Sequence, residues 1–177
     1  MSTYDLRKKL PEIARRDVGK LEVTRNRAPW IAKFWPATSY PEGYANREPY
    51  CAAALCYWVQ QWLADPEVAV AVCEEYGLLP RQLEKWRPKS AGAFNWIDWA
   101  RANRVQMFDD YVGNILHTGD IMVFDMSHIG VVEDDNGKTL VYTVEANTGA
   151  TGGRDGDGCF AKTRQRSLAR KFIRILP

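Results

Sequence analysis

The sequence predicts an α+β fold built as a single domain. Three observations predict it. A chain of 177 residues has the length of one domain, and such a chain buries roughly 70% of its unfolded surface without needing staples. Helix signals are confined to residues 4–103, whereas residues 117–177 carry short strand-like runs separated by turn residues. Helices first and antiparallel strands second is the order of an α+β chain, not of an alternating βαβ one. Four stretches follow: an N-terminal helix and wrap (1–49), a central helix (50–64), an insertion (65–103) and a β-meander (117–177).

Residues 4–16 have helical spacing, with Leu6, Leu10, Ile13 and Ala14 on one side. Residues 17–49 are irregular and rich in Pro, Asn and aromatics, among them Trp30, Phe34, Trp35, Tyr40 and Tyr44. A segment that long without its own regular structure either wraps the surface or serves function. Residues 51–63 are apolar almost all round, which predicts a helix buried on several sides. Pro66 opens a second helix that ends near Gly77. Pro80, Pro88 and Gly92 break the next stretch, and Asn95–Ala100 forms a short helix.

Strands are expected over Gly119–Phe124, Ser127–Glu133, Thr139–Glu145 and Phe172–Leu176. Asp134-Asp-Asn-Gly137 joins the second and third as a tight hairpin, because Asn and Gly tolerate positive φ. Gly149–Gly158 is a glycine-rich loop.

Charge and cysteine usage exclude several classes. The formal net charge is +2, too small for a nucleic-acid binder. The charge is uneven: Arg154, Lys162, Arg164, Arg166, Arg170, Lys171 and Arg174 face only Asp155 and Asp157 in that segment. This run reads as a solvated strand face, or as an attraction to an anionic polymer such as bacterial cell wall. Cys51, Cys56, Cys73 and Cys159 form no C-x-x-C pair, so neither a zinc site, a thioredoxin motif nor a disulfide framework is expected. Asp155-Gly-Asp-Gly158 lacks the remaining ligands of a calcium loop. The N-terminus has no apolar h-region, and Pro49–Ala64 is too short to span a bilayer. The expectation is a product made in the cytoplasm, without membrane insertion.

Chemistry concentrates on Cys51. It stands directly behind Pro49 and Tyr50, in the first turn of its helix, where the macrodipole favours a thiolate. Cys56 lies five residues on, about 140° around the helix, and reads as core. A cysteine nucleophile also needs a base and a group to orient that base. The two histidines are His117 and His128. His117 sits in a connecting loop that constrains it weakly. His128 shares a strand face with Gly130, a small neighbour that leaves room for substrate. Glu145 and Asn147 are two apart on the next strand and so share a face. Pairing outward from the Asn136-Gly137 turn brings Glu145 near His128, where an acceptor fixes the imidazole tautomer.

These residues resemble the CHAP and NlpC/P60 group of papain-like cysteine hydrolases, closest to its small bacterial and phage members. The resemblance runs through most of the chain. Asp17–Glu22 and Asn26 look like that group's entry segment, and Pro49-Tyr-Cys-Ala-Ala53 like its nucleophile motif. Gly119-Asp-Ile-Met-Val-Phe124, His128-Ile-Gly-Val-Val132 and Val144-Glu-Ala-Asn-Thr-Gly149 resemble its successive strand motifs. Asp157–Arg164 and Phe172–Ile175 resemble its last two strands. Tyr50 stands where many members carry Gln, which leaves the backbone N–H of Cys51 as an oxyanion donor.

The resemblance implies a papain-like fold with Cys51 as nucleophile, His128 as general base, and Glu145 and Asn147 as the partners that orient the base. It implies peptidoglycan as substrate, cut between stem-peptide residues or at the sugar–peptide amide. No cofactor or metal is expected. Tyr50, Trp96 and Trp99 are the candidate substrate-binding residues, although core packing explains such aromatics equally well. Two contexts fit: a phage endolysin, or a secreted antibacterial effector with a cognate immunity protein as partner. In either, the chain acts as a monomer in the periplasm or at the cell wall. An amidase for a non-wall substrate, or an inactive binding module, is the alternative.

Overall fold

The computed structural model describes residues 2–111, 114–137, 139–149 and 156–177. Most of the expected glycine-rich loop, Arg154 and the Asp155 that begins the calcium-like spacing lie outside the described residues. Among them the architecture is α+β, with helices on one face of a six-stranded antiparallel sheet.

Helix α1 (Thr3–Arg15) starts at a capping box in which Ser2 and Asp5 satisfy each other's backbone N–H. It buries Leu6, Leu10 and Ala14; Ile13 is half-buried. The irregular segment that follows contains two 3-10 stretches, Pro29–Ala37 and Pro41–Tyr44. Phe34 and Trp35 enter the core from the first. Helix α2 (Cys51–Leu63) is the central element, with the bounds the sequence predicts. Residues from Ala52 to Cys56, with Trp58 and Val59, are fully buried. Each large apolar side chain among them contributes roughly 1.5–3 kcal/mol.

Two indoles tie α2 to its neighbours. Trp62 Nε1 donates to the Leu6 carbonyl at 2.7 Å, and Trp58 Nε1 donates to the buried Asp17 carboxylate at 3.0 Å. Asp17 also receives Lys20 and Lys33, so this buried charge is paired. Helix α3 (Pro66–Tyr76) is capped by Asp65 and stops at Gly77, whose φ of 63° closes the C-terminus. Short α4 (Leu83–Trp86) and α5 (Asn95–Ala102) complete the helical layer.

The strands are β1 (Gln106–Phe108), β2 (Ile121–Phe124), β3 (Ile129–Asp135), β4 (Leu140–Thr148), β5 (Gly158–Gln165) and β6 (Ala169–Arg174). Their order across the sheet is β1-β6-β2-β3-β4-β5. The hairpin that closes β3 onto β4 begins two residues later than expected: Asp134 and Asp135 still pair in the ladder, and Asn136 and Leu140 exchange hydrogen bonds across the turn. Only β2 to β5 follow chain order; β6 returns between β1 and β2. Beside β2 the fully buried Asp120 carboxylate takes a two-pronged Arg174 guanidinium from the end of β6, at 2.8 and 2.7 Å.

Ile129, Val131, Val144 and Ala146 face the helical core. Met122, Phe124, Val132, Val141 and Phe172 form a smaller cluster on the opposite face. By alternation Gly130, Thr143 and Glu145 belong to that second face. Among the described residues no helix is long and apolar enough to cross a membrane.

The basic C-terminal segment is not the solvated face the sequence suggests. Arg164, Arg166 and Arg174 are buried, and carboxylates meet each: Glu145, then Asp110 and Asp135, then Asp120. On the surface Arg170 pairs with Asp125 and Lys171 with Asp109. Acidic residues distant in sequence meet Arg164, Arg166, Arg170, Lys171 and Arg174, a pairing that local charge counting misses.

Candidate active site

Three chain segments meet at one end of the sheet: the start of α2, the start of β3 and the end of β4. The last two adjoin because β3 and β4 are antiparallel and their connecting turn lies at the other end. Cys51 is the first residue of α2. Its backbone N–H belongs to the first turn, which has no intrahelical acceptor.

His128 precedes β3 in a tight turn from β2. Ser127 takes φ 55°, and the Phe124 N–H donates to the His128 carbonyl at 2.9 Å. The imidazole is fully buried, with its ring 5.2 Å from that of Phe124. Its Nε2 lies 2.9 Å from Glu145 Oε2.

Glu145 is fully buried and saturated. Thr143 Oγ1 donates to its Oε1 at 2.6 Å, and Arg164 donates through Nε to Oε1 at 2.8 Å and through Nη2 to Oε2 at 2.5 Å. Arg164 also lies over the Phe124 ring, 5.5 Å from its centroid. Burial alone would raise the Glu145 pKa; Arg164, and then His128, overcome it and lower it to about 2.

An ionised carboxylate only accepts, so Nε2 carries the proton. Nδ1 then faces away from Glu145 and has no conventional hydrogen-bond partner. The Cys51 thiol is the other group that interacts with this ring. Burial pushes the imidazole pKa down; Cys51 and Glu145 more than compensate and raise it to about 9. Cysteine and carboxylate therefore both act on the imidazole, and together they stabilise its charged form.

Asn147 does not join them. In a regular strand it would share the face of Glu145. Here β4 bulges: Ala146 pairs with Cys159 and Thr148 with Gly158, leaving Asn147 as the extra residue, at φ 55°. At this bulge Asn147 lines a cleft of about 200 Å³ together with Cys51, Ser127, Glu48, Tyr40 and Trp35. A larger cavity of about 500 Å³ opens beside Arg166, away from this chemistry.

Other expectations change as well. Tyr50 and Trp96 are fully buried and present no surface to a substrate. Tyr50 packs between Trp30 and Phe34, with its hydroxyl toward Glu22 and the backbone of Asn147. Trp99 is half-buried; its Nε1 donates to the Trp86 carbonyl and its ring meets Trp86 and Trp96. Gly130 makes room for Glu145 and not for substrate. Cys56 is a core residue, as expected, and burial pushes its thiol up to about 12. His117 sits apart, its backbone N–H donating to Asp120.

Arg164 and Thr143 are the site residues that sequence reasoning missed. Phe160 pairs with Glu145, so alternation places Lys162 and Arg164 on the face of Glu145. That signal becomes visible once residues 158–165 are read as a strand beside β4.

Comparison with models of known protein families, with curated proteins and with solved structures finds no match to this chain.

Proposed function

We propose that this chain is a papain-like cysteine hydrolase that cleaves an amide bond of bacterial peptidoglycan through a thioacyl intermediate. One observation carries the catalytic part: His128 lies buried between the Cys51 thiol and a Glu145 carboxylate that Arg164 holds ionised. A purely structural histidine has no need of a thiol at a helix start on one side and a fully paired carboxylate on the other.

In this reading His128 takes the Cys51 proton, and the thiolate attacks the amide carbonyl carbon. The tetrahedral intermediate collapses, the C–N bond breaks, and the imidazolium protonates the leaving amine. Water, deprotonated by the now neutral imidazole, then cleaves the thioester. Glu145 keeps the ring in the tautomer both steps need. The fold supplies the rest: a rigid helix start and two strand ends hold the groups in place.

The wall substrate rests on the resemblance of the His128, Glu145 and Asn147 segments to wall hydrolases. Either cut, between stem-peptide residues or at the sugar–peptide amide, fits the chemistry. Endolysin and secreted effector are the two contexts that go with it.

Digestion of purified peptidoglycan by wild type and Cys51→Ala, with products weighed by mass spectrometry, tests the reading. Fragments released by wild type alone would establish it, and their masses would name the bond. No release from several wall chemotypes by folded protein would move the substrate to a non-wall amide.

A further inference from the structure

The attacked carbonyl needs donors for the negative charge that develops on its oxygen. The backbone N–H of Cys51 is one. Tyr50, the side chain next to the nucleophile, is fully buried and turned toward Glu22, so it supplies none. Asn147 is 1% exposed, and its Oδ1 is buried without a hydrogen-bond partner. A buried acceptor left without a partner costs about 1–3 kcal/mol. β4 bulges at this residue, which lines the same cleft as Cys51. Structural packing gives no return for that arrangement; a ligand in the cleft does.

We propose that the Asn147 carboxamide and the Cys51 backbone N–H together hold the scissile carbonyl oxygen, making Asn147 a catalytic residue that acts on substrate and not on His128. This rests on the cysteine-hydrolase reading. A 180° turn of the carboxamide exchanges its two ends, so the N–H₂ end is available to the oxygen. Tyr50 beneath the Asn147 backbone then supports the bulge.

Two reagents separate this role from others. Iodoacetamide alkylates Cys51 by displacement of iodide at a saturated carbon, and no oxyanion forms. With p-nitrophenyl acetate the sulfur attacks a carbonyl carbon, and the carbonyl electron pair moves to oxygen. It then returns to expel p-nitrophenolate and leave a thioester. Asn147→Gly removes the carboxamide and accepts the positive φ without strain. It is expected to slow acylation by about 10²–10³-fold and leave the alkylation rate unchanged. Asn147→Asp, isosteric but anionic, is expected to slow acylation at least as much. Equal slowing of both reactions in Asn147→Gly would mean a structural or base-orienting role, and unchanged acylation would mean no role; either overturns the proposal. If wild type itself is acylated no faster than Cys51→Ala, the hydrolase reading falls and the proposal with it.

Discussion

Gly130 is small for the sake of Glu145. Extending the Val131–Val144 register by one residue sets the two opposite each other. A Cβ at position 130 would stand 2.7 Å from Glu145 Cγ and 3.1 Å from the Val144 carbonyl oxygen. Gly130→Ala is therefore predicted to act on the His128–Glu145 pair. Overpacking costs typically about 1–3 kcal/mol, and the carboxylate gives way before the strand backbone does. The expected outcome is a lower melting temperature together with a lost His128–Glu145 hydrogen bond, read as a changed imidazole tautomer by ¹⁵N NMR. Full stability with only a raised KM would place Gly130 on the substrate side instead.

Arg164 is predicted to be the stabilising partner of the site, acting through Glu145. Removing one member of a buried charge pair costs about 3–5 kcal/mol, because the other charge remains buried and uncompensated. Arg164→Met should lose that much in urea denaturation, and Glu145→Gln should also destabilise. The double variant should lose clearly less than the sum, since no unpaired charge is left behind. Additive losses would show that the two side chains do not depend on each other.

How much of this was legible in the sequence differs by element. α2 was, because Pro49 precedes a run that is apolar but for Gln60 and Gln61. The nearness of His128 to Glu145 was legible, but the register was not: a tight turn at Asn136-Gly137 would set Glu145 opposite His128, whereas Asn136 bonds Leu140 and the ladder shifts between Val132 and Asp134, so that Glu145 stands opposite Gly130. The placement of Asn147 was not legible either, because one extra residue in β4 cancels the alternation that governs Glu145 two positions earlier. Tyr50 and Trp96 read equally as core or groove, and aromatic composition does not separate the two. Arg164 was hidden for a different reason. Its partner lies on a neighbouring strand, and a segment rich in arginine reads as exposed until the acids that meet it are placed. The same holds for Arg174 with Asp120, which turns a common Gly-Asp strand start into the anchor of β6.

The pH dependence follows from the two shifted groups. His128 has its pKa raised to about 9, by Cys51 and Glu145 against the pull of burial. Its contribution to stability is fully present below the unfolded value near 6.5. It fades as pH rises toward 9 and is lost above it. Glu145 has its pKa lowered to about 2, so its contribution holds above the unfolded value near 4.3 and is lost as pH falls through the folded one. Urea midpoints should accordingly be highest between those limits, with an alkaline decline that Glu145→Gln moves to lower pH. Hydrolysis should decline over the same alkaline range, because the leaving amine needs the imidazolium proton. Direct titration of the His128 Cε1–H by NMR is the deciding measurement. A midpoint near the free-imidazole value would mean that neither the thiol nor the carboxylate holds the ring charged, and the proposed joint action of Cys51 and Glu145 on it would lose its electrostatic basis.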